Sequence, residues 1–221
     1  MIYVAPSLLA ADFSTLATEI KKVELAGAQY LHLDVMDGAF VPNLSFGPEL
    51  ISSIRKCTNM IFDVHLMIKR PERYIDRFVK AGADIITVHY EACENPMSAV
   101  HLIHSYEMKA AIAISPKTPV EHLFPLVEHI DMALIMTVEP GFGGQSLIPE
   151  TVDKVSTLRK YCAERGINLD IEVDGGINAE NVSILTSAGA NVIVAGSAIF
   201  KAKKPKAIIN EMKNSAPTSF R

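Results

Sequence analysis

Short runs of β character alternate with helix-patterned runs along the whole chain, and no other feature restricts the fold as tightly. The strand candidates are Tyr3–Leu8, Tyr30–Val35, Ile61–Met67, Ile85–His89, Ala110–Ile114, Met132–Thr137, Asp170–Asp174 and Val192–Ala195. One helix is expected after each. The first is representative: Ser14 is the expected cap, Leu16, Ile20 and Val23 share one stripe, and Gly27 supplies the stop. Gly82, Gly166 and Gly189 are placed to close later helices in the same way.

A strand, helix, strand order demands parallel pairing, because a parallel neighbour is reached through a crossover and not through a hairpin. Eight such units in 221 residues predict a single-domain (β/α)8 TIM barrel over residues 1–221, with a doubly wound open sheet as the alternative. No Gly/Ser-rich linker or shift in composition divides the chain. Barrel enzymes carry their chemistry at the carboxyl ends of the strands, so functional residues are sought there.

Composition excludes several classes of function. Hydrophobic residues at 49% and charged residues at 21% argue for a packed core and against disorder. The net charge of −4, with Lys and Arg scattered, provides no basic stripe for nucleic acid. No apolar run approaches the roughly 20 residues of a membrane span, and the N-terminus lacks a secretion signal, so a cytoplasmic protein is expected. Cys57, Cys93 and Cys162 show no CxxC spacing and are expected to be free thiols.

Within YLHLDVMDGAFVPN at 30–43, alternation sets His32, Asp34 and Met36 on one face and Leu31, Leu33 and Val35 on the other. An imidazole and a carboxylate therefore point where a core residue is expected. His65 near the end of the third strand and Asp174 at the end of the seventh occupy comparable places. Two imidazoles and two carboxylates form a normal ligand set for one divalent transition ion, and a bound cation would compensate their burial. Zinc, iron, manganese and cobalt all suit such a set.

A second signal lies in the loops after strands six, seven and eight, which read EPGFGGQS, DGGI and AGSAIF. Glycines let the backbone approach an anion, and late loops of many barrels bind phosphate through N–H groups. The candidates are Gly143, Gly144, Gly175, Gly176, Gly196 and Ser197. Met36, Met67 and Met136 end strands two, three and six, where filling core volume is the plain reading. Asp37 before Gly38 reads as a turn residue, His89 as a core or pocket residue, and His101 and His104 as part of a solvated helix face.

These segments, together with PSLLAADF at 6–13, DVHLM at 63–67 and VAGSAIF at 194–200, resemble the ribulose-phosphate 3-epimerases over nearly the whole chain. The resemblance implies a barrel that interconverts D-ribulose 5-phosphate and D-xylulose 5-phosphate, a pentose phosphate pathway reaction, through a metal-stabilised enediolate. It carries metal ligation to His32, Asp34, His65 and Asp174, proton acceptance to Asp34 and proton donation to Asp174. Substrate contacts fall on Ser7, His65 and the six glycine-loop residues, and the three methionines match sulfur-bearing residues around the reacting carbons. A homo-oligomer is implied as well. Ser115 and Tyr90 are departures from the family pattern that bear on substrate choice.

The nearest rival is an epimerase for D-allulose 6-phosphate, whose family is very similar. A phosphosugar decarboxylase would want an Asp-x-Lys-x-x-Asp run on the third strand, which instead reads Asp63-Val64-His65. A non-catalytic phosphosugar-binding barrel has no need of two opposed carboxylates.

Overall fold

The computed structural model describes residues 1–215. Eight parallel strands form one sheet in the order β1-β8-β7-β6-β5-β4-β3-β2. They are β1 (Tyr3–Pro6), β2 (Tyr30–Met36), β3 (Ile61–Met67), β4 (Ile85–His89), β5 (Lys109–Ile114), β6 (Met132–Met136), β7 (Asp170–Asp174) and β8 (Val192–Ala195). An isolated parallel bridge between Ser7 and His32 joins β1 to β2, so the sheet curls into a nearly closed barrel and the open-sheet alternative falls away. The helices are α1 (Leu16–Leu25), α2 (Pro48–Arg55), α3 (Ile75–Lys80), α4 (Pro96–Ser105), α5 (Thr151–Glu164), α6 (Val182–Ala188), α7 (Ser197–Phe200) and α8 (Pro205–Asn214). No described helix is long and apolar enough to cross a membrane.

One helix per strand is not what forms. The link from β5 to β6 contains a 3-10 turn, Val120–Leu123, and β8 is followed by both α7 and α8. Pro116 and Pro119 lie in that fifth link, and proline removes the N–H that a longer helix would use. Ser14 is not the cap of α1: its N–H and hydroxyl both donate to Asp12 Oδ1, at 2.9 and 2.6 Å, within a 3-10 turn that precedes the helix. Strand β1 stops at Pro6, because Leu8–Ala10 winds into another 3-10 turn.

Two apolar regions hold the barrel. Outward-facing strand residues such as Leu31, Leu33, Phe62 and Ile112 are buried against the helices. Inside, Ala5, Tyr30, Ile85, Ala111, Met132, Val192 and Val194 pack together around the barrel axis. Tyr30 opens β2, and His32, Asp34 and Met36 follow it at two-residue steps along the same inner face. Going from the amino to the carboxyl ends, the interior therefore changes from apolar to ionisable.

Candidate active site

Parallel register places the ionisable residues side by side. His32 is the Cα partner of Asp63, Asp34 of His65, and Met36 of Met67. Asp174 ends β7 opposite Met136 on β6. Ligand atoms of His32, Asp34, His65 and Asp174 all lie within 4.8 Å of one another. His32 Nε2 is 3.3 Å from both His65 Nδ1 and Asp34 Oδ1, His65 Nδ1 is 3.3 Å from Asp34 Oδ1, and Asp174 Oδ2 is 3.8 Å from His32 Nε2. Bonds of roughly 2.0–2.1 Å at tetrahedral angles set donor atoms about 3.3 Å apart, so this donor set fits a divalent transition ion.

The charges make the same demand. Burial pushes His32 toward the neutral ring, but the Asp34 and Asp63 carboxylates outweigh it and hold His32 well above its usual value. This pocket of carboxylates calls for a positive charge. Burial also pushes Asp34 up, but His32 and the hydrogen bonds from His32 and His65 hold it well below the carboxylate range. Asp174, raised by burial and by the Asp34 charge, reaches about 7. Near neutral pH one carboxyl is thus held ionised and the other keeps a proton within reach.

Beneath and beside these groups lies a buried polar shell. His32 Nδ1 donates to Asp63 Oδ2 at 2.6 Å, and Thr87 Oγ1 donates to Asp63 Oδ1 at 3.1 Å. Glu172 is fully buried, and neither of its carboxyl oxygens has a hydrogen-bond partner. Burial and the neighbouring Asp63 push its carboxyl well above the usual range, which makes it the neutral acid. On the other flank, His89 is fully buried and stacks on His65 with centroids 5.0 Å apart. Burial presses its ring down to about 4, so it is neutral at neutral pH. Ser7, which closes the barrel, donates from Oγ to Asp34 Oδ2 at 2.6 Å.

A cavity of about 890 Å³ opens over Asp34 and Asp174 and is lined by Ser7, Met36, Met67, Met136 and the six glycine-loop residues 143, 144, 175, 176, 196 and 197. His32 and His65 do not border it, because their rings are fully buried below its floor. Gly176 has φ +68°, and a Cβ there would come within 2.3 Å of Leu147 N, so no other residue lets the loops after β6 and β7 approach so closely. Thr137 ties these loops together: its N–H donates to Asp174 O at 2.7 Å and its Oγ1 to Gly175 O at 2.6 Å. The β6–α5 loop is fastened across the barrel mouth by Asn43 Nδ2, which donates to Gly141 O at 2.8 Å.

Every candidate from the sequence is therefore gathered at one end of the barrel. Asp63, Glu172 and Thr137 are not among them. Asp63 and Glu172 were discoverable, since each lies two residues before a chosen site residue on the same strand face. Asp37 is the turn residue expected, its carboxylate accepting from the N–H groups of Ala39, Phe40 and Lys69. His101 is exposed and His104 pairs with Asp131 on the surface. Ser115 and Tyr90 do not border the cavity. Cys57, Cys93 and Cys162 are free thiols.

Comparison with known proteins places this arrangement among relatives. A sequence-family model described as the ribulose-phosphate 3 epimerase family matches residues 3–200. The ribulose-phosphate 3-epimerase of Bacillus subtilis is 46% identical over 216 residues, covering 97% of this chain and 100% of that one. That of Synechocystis is 49% identical over 216 residues, covering 97% and 94%. Among solved structures, a 3-hexulose-6-phosphate synthase superposes with a TM-score of 0.68 at 19% identity, covering 98% of this chain and 99% of that one, which shows a shared fold.

Proposed function

The chain belongs to the ribulose-phosphate 3-epimerase family and is an enzyme of that type; from this premise we propose that it interconverts D-ribulose 5-phosphate and D-xylulose 5-phosphate by two-base proton transfer at C3. The observation that carries the reading is the pair of carboxyls, Asp34 buried and Asp174 half-buried, that face one cavity from β2 and β7, the first held ionised and the second raised to about 7.

Inverting C3 of a 2-keto sugar phosphate requires removing a proton beside the carbonyl and returning one to the opposite face. A single base returns the proton to the face it left, so two are needed. Asp34 and Asp174 reach the cavity from strands that have β1 and β8 between them. In one direction Asp34 accepts the C3 proton and Asp174 supplies its own to the other face; in the reverse direction the roles exchange. Each positioned acid or base contributes a factor of about 10²–10⁴. Their titration belongs to the pair and not to either residue alone.

His32, Asp34, His65 and Asp174 would hold one divalent ion, which when bound supplies Lewis-acid polarisation of the carbonyl. The glycine-loop N–H groups and Ser197 hold the phosphate, and this remote grip orients C3 between the carboxyls. Met36, Met67 and Met136 give the reacting carbons an apolar, polarizable wall that keeps water away. The enzyme is read as a cytoplasmic homo-oligomer whose barrel domain runs through residue 221; residues 216–221 lie outside the described part.

The test is incubation with ribulose 5-phosphate in deuterated water, following C3 by NMR. Deuterium is expected at C3 as xylulose 5-phosphate forms, and Asp34→Asn or Asp174→Asn is expected to lose the conversion. An Asn variant at wild-type speed overturns the two-carboxyl assignment. A higher kcat/KM for D-allulose 6-phosphate would transfer the reading to the six-carbon sugar.

A further inference from the structure

His65 presents Nδ1 to the site, and behind it a line of hydrogen-bonded groups runs from the buried His89 out to the partly exposed Glu91 and the loops that follow β4 and β5. His65 Nε2 lies 2.9 Å from His89 Nε2, and His89 Nδ1 lies 3.1 Å from Glu91 Oε2. Glu91 Oε1 in turn accepts from the N–H of Ser115 at 2.8 Å and from the Thr118 hydroxyl. Both rings are fully buried, and Phe40 covers His89 with its ring centroid 4.8 Å away. We propose that Glu91 and His89 are positioning residues: together they fix the tautomer of His65 so that its Nδ1 lone pair faces the site.

Two neutral imidazoles touching through their Nε2 atoms share a single hydrogen, so one donates and the other accepts. There are two ways to place it. In the first, His89 carries its hydrogen on Nδ1 and gives it to Glu91, its Nε2 accepts from His65, and His65 Nδ1 is bare. In the second, His65 carries its hydrogen on Nδ1 toward Asp34, and a bare His89 Nδ1 faces the Glu91 carboxylate, lone pair against lone pair. Glu91 Oε2 has no donor besides His89 among the described residues, whereas Asp34 Oδ1, the oxygen facing His65, also has His32 Nε2 at 3.3 Å, and Asp34 Oδ2 accepts from Ser7 at 2.6 Å. The second arrangement sets two acceptors, His89 Nδ1 and Glu91 Oε2, 3.1 Å apart. The first pairs His65, His89 and Glu91 with one another and leaves His65 Nδ1 bare beside Asp34 Oδ1 at 3.3 Å, the place where a bound cation would sit.

Asp63 does for His32 in one step what Glu91 does for His65 in two: a carboxylate accepts from the far ring nitrogen, at 2.6 Å, and so turns Nε2 to the site. Both imidazoles thus have the far ring nitrogen tied to a carboxylate, directly or through His89, and the other nitrogen turned to the site. This inference rests on the proposed metal site, but its first readout uses neither metal nor substrate.

The experiment uses the full chain, stripped of metal and labelled with 15N-histidine, and reads the tautomer of each ring from its two-bond nitrogen–proton correlations. His65 is expected to carry its hydrogen on Nε2 and His89 on Nδ1; a His65 protonated at Nδ1 in the wild-type protein overturns the proposal, whatever the variants do. A second readout is zinc affinity, measured by chelator competition without substrate. His89→Phe keeps the ring stack but removes the relay, and zinc affinity is expected to fall about tenfold to a hundredfold. His89→Gln can accept from His65 through its carbonyl oxygen and donate to Glu91 through its amide nitrogen, so it is expected to recover most of that loss. His89→Phe binding zinc as tightly as wild type, or His89→Gln no better than a folded His89→Phe, overturns the relay. Because turnover is not read, a failure of the epimerase reading leaves these outcomes unaffected.

Discussion

Ser7 Oγ donates a 2.6 Å hydrogen bond to Oδ2 of Asp34, at the seam where a single backbone bridge joins the first strand to the second. The residue that closes the barrel therefore also holds the proposed base in place. A hydrogen bond to a charged group contributes about 1.5–3 kcal/mol, and its loss leaves a buried carboxylate oxygen less well satisfied. Ser7→Ala is expected to lower kcat/KM about tenfold to a hundredfold while the bridge, which uses backbone atoms, keeps the fold. Steady-state kinetics beside a thermal melt separates the two effects. Unchanged kcat/KM in a folded Ser7→Ala protein would show that the hydroxyl does not hold Asp34.

Removing the divalent ion should affect both turnover and stability. Stripping leaves Asp34, Asp63 and Asp174 clustered around His32 with no compensating cation beyond that ring. Exhaustive chelation is expected to abolish epimerisation and lower the melting temperature, and zinc, manganese, cobalt or ferrous iron should restore both. At a free metal concentration one hundred times Kd, the gain is about 2.7 kcal/mol. For a chain of this size that corresponds to roughly 5–10 °C. Full turnover in protein shown by elemental analysis to be metal-free would remove the ion from the mechanism.

The β-strands were legible because their pattern is physical: a strand buried on both faces must be apolar on its outer row, and an ionisable inner row then stands out. Ile61–Met67, Ile85–His89, Asp170–Asp174 and Val192–Ala195 coincide with the strands that form. Element ends were less legible. Ser14 has the residue type of a cap, but Asp12 holds it in the 3-10 turn before α1, a contact that spacing does not reveal. The missing fifth helix lies in a link that carries three prolines, Pro116, Pro119 and Pro125, each without the N–H a helix would use. At the site, the same-face rule marks His32 and Asp34, and Asp63 and Glu172 lie one inward step below His65 and Asp174 on their own strands. The His65–His89 contact lay beyond sequence altogether, since it depends on the stagger between β3 and β4.

Gly176→Ala tests how tightly the late loops are built. Its φ of +68° is unfavourable for alanine, and the added Cβ would meet Leu147 N at 2.3 Å and Ser146 C at 2.8 Å. Backbone strain of this kind costs on the order of 1–3 kcal/mol, and relief requires the β6–α5 loop to move away from the β7 loop. The variant is expected to lose about that much stability and to raise KM for the sugar phosphate at least several-fold, with a smaller change in kcat. Gly143→Ala serves as the control, because a Cβ there meets nothing within 4 Å and its φ is not left-handed. Equal KM values for the two variants would separate loop packing from phosphate binding.

Acid stability should depend on Glu24, far from the site. Its carboxylate accepts from Lys21 Nζ at 2.6 Å, from the Thr58 hydroxyl at 2.7 Å and from the Asn59 N–H at 3.1 Å, tying α1 to the segment before β3. These bonds, the one from Lys21 foremost, hold its pKa at about 2 against a usual 4.5. The folded value lies below the unfolded one, so the stabilisation is complete above about pH 4.5 and disappears as pH falls toward 2. The carboxylate is partly open to solvent, which limits its contribution to about 1–2 kcal/mol. Glu24→Gln should therefore be less stable than wild type by about that amount in urea melts at pH 7, and the gap should narrow steadily between pH 4.5 and pH 3. A difference that stays constant over this range would show that the carboxylate charge contributes nothing to the tie.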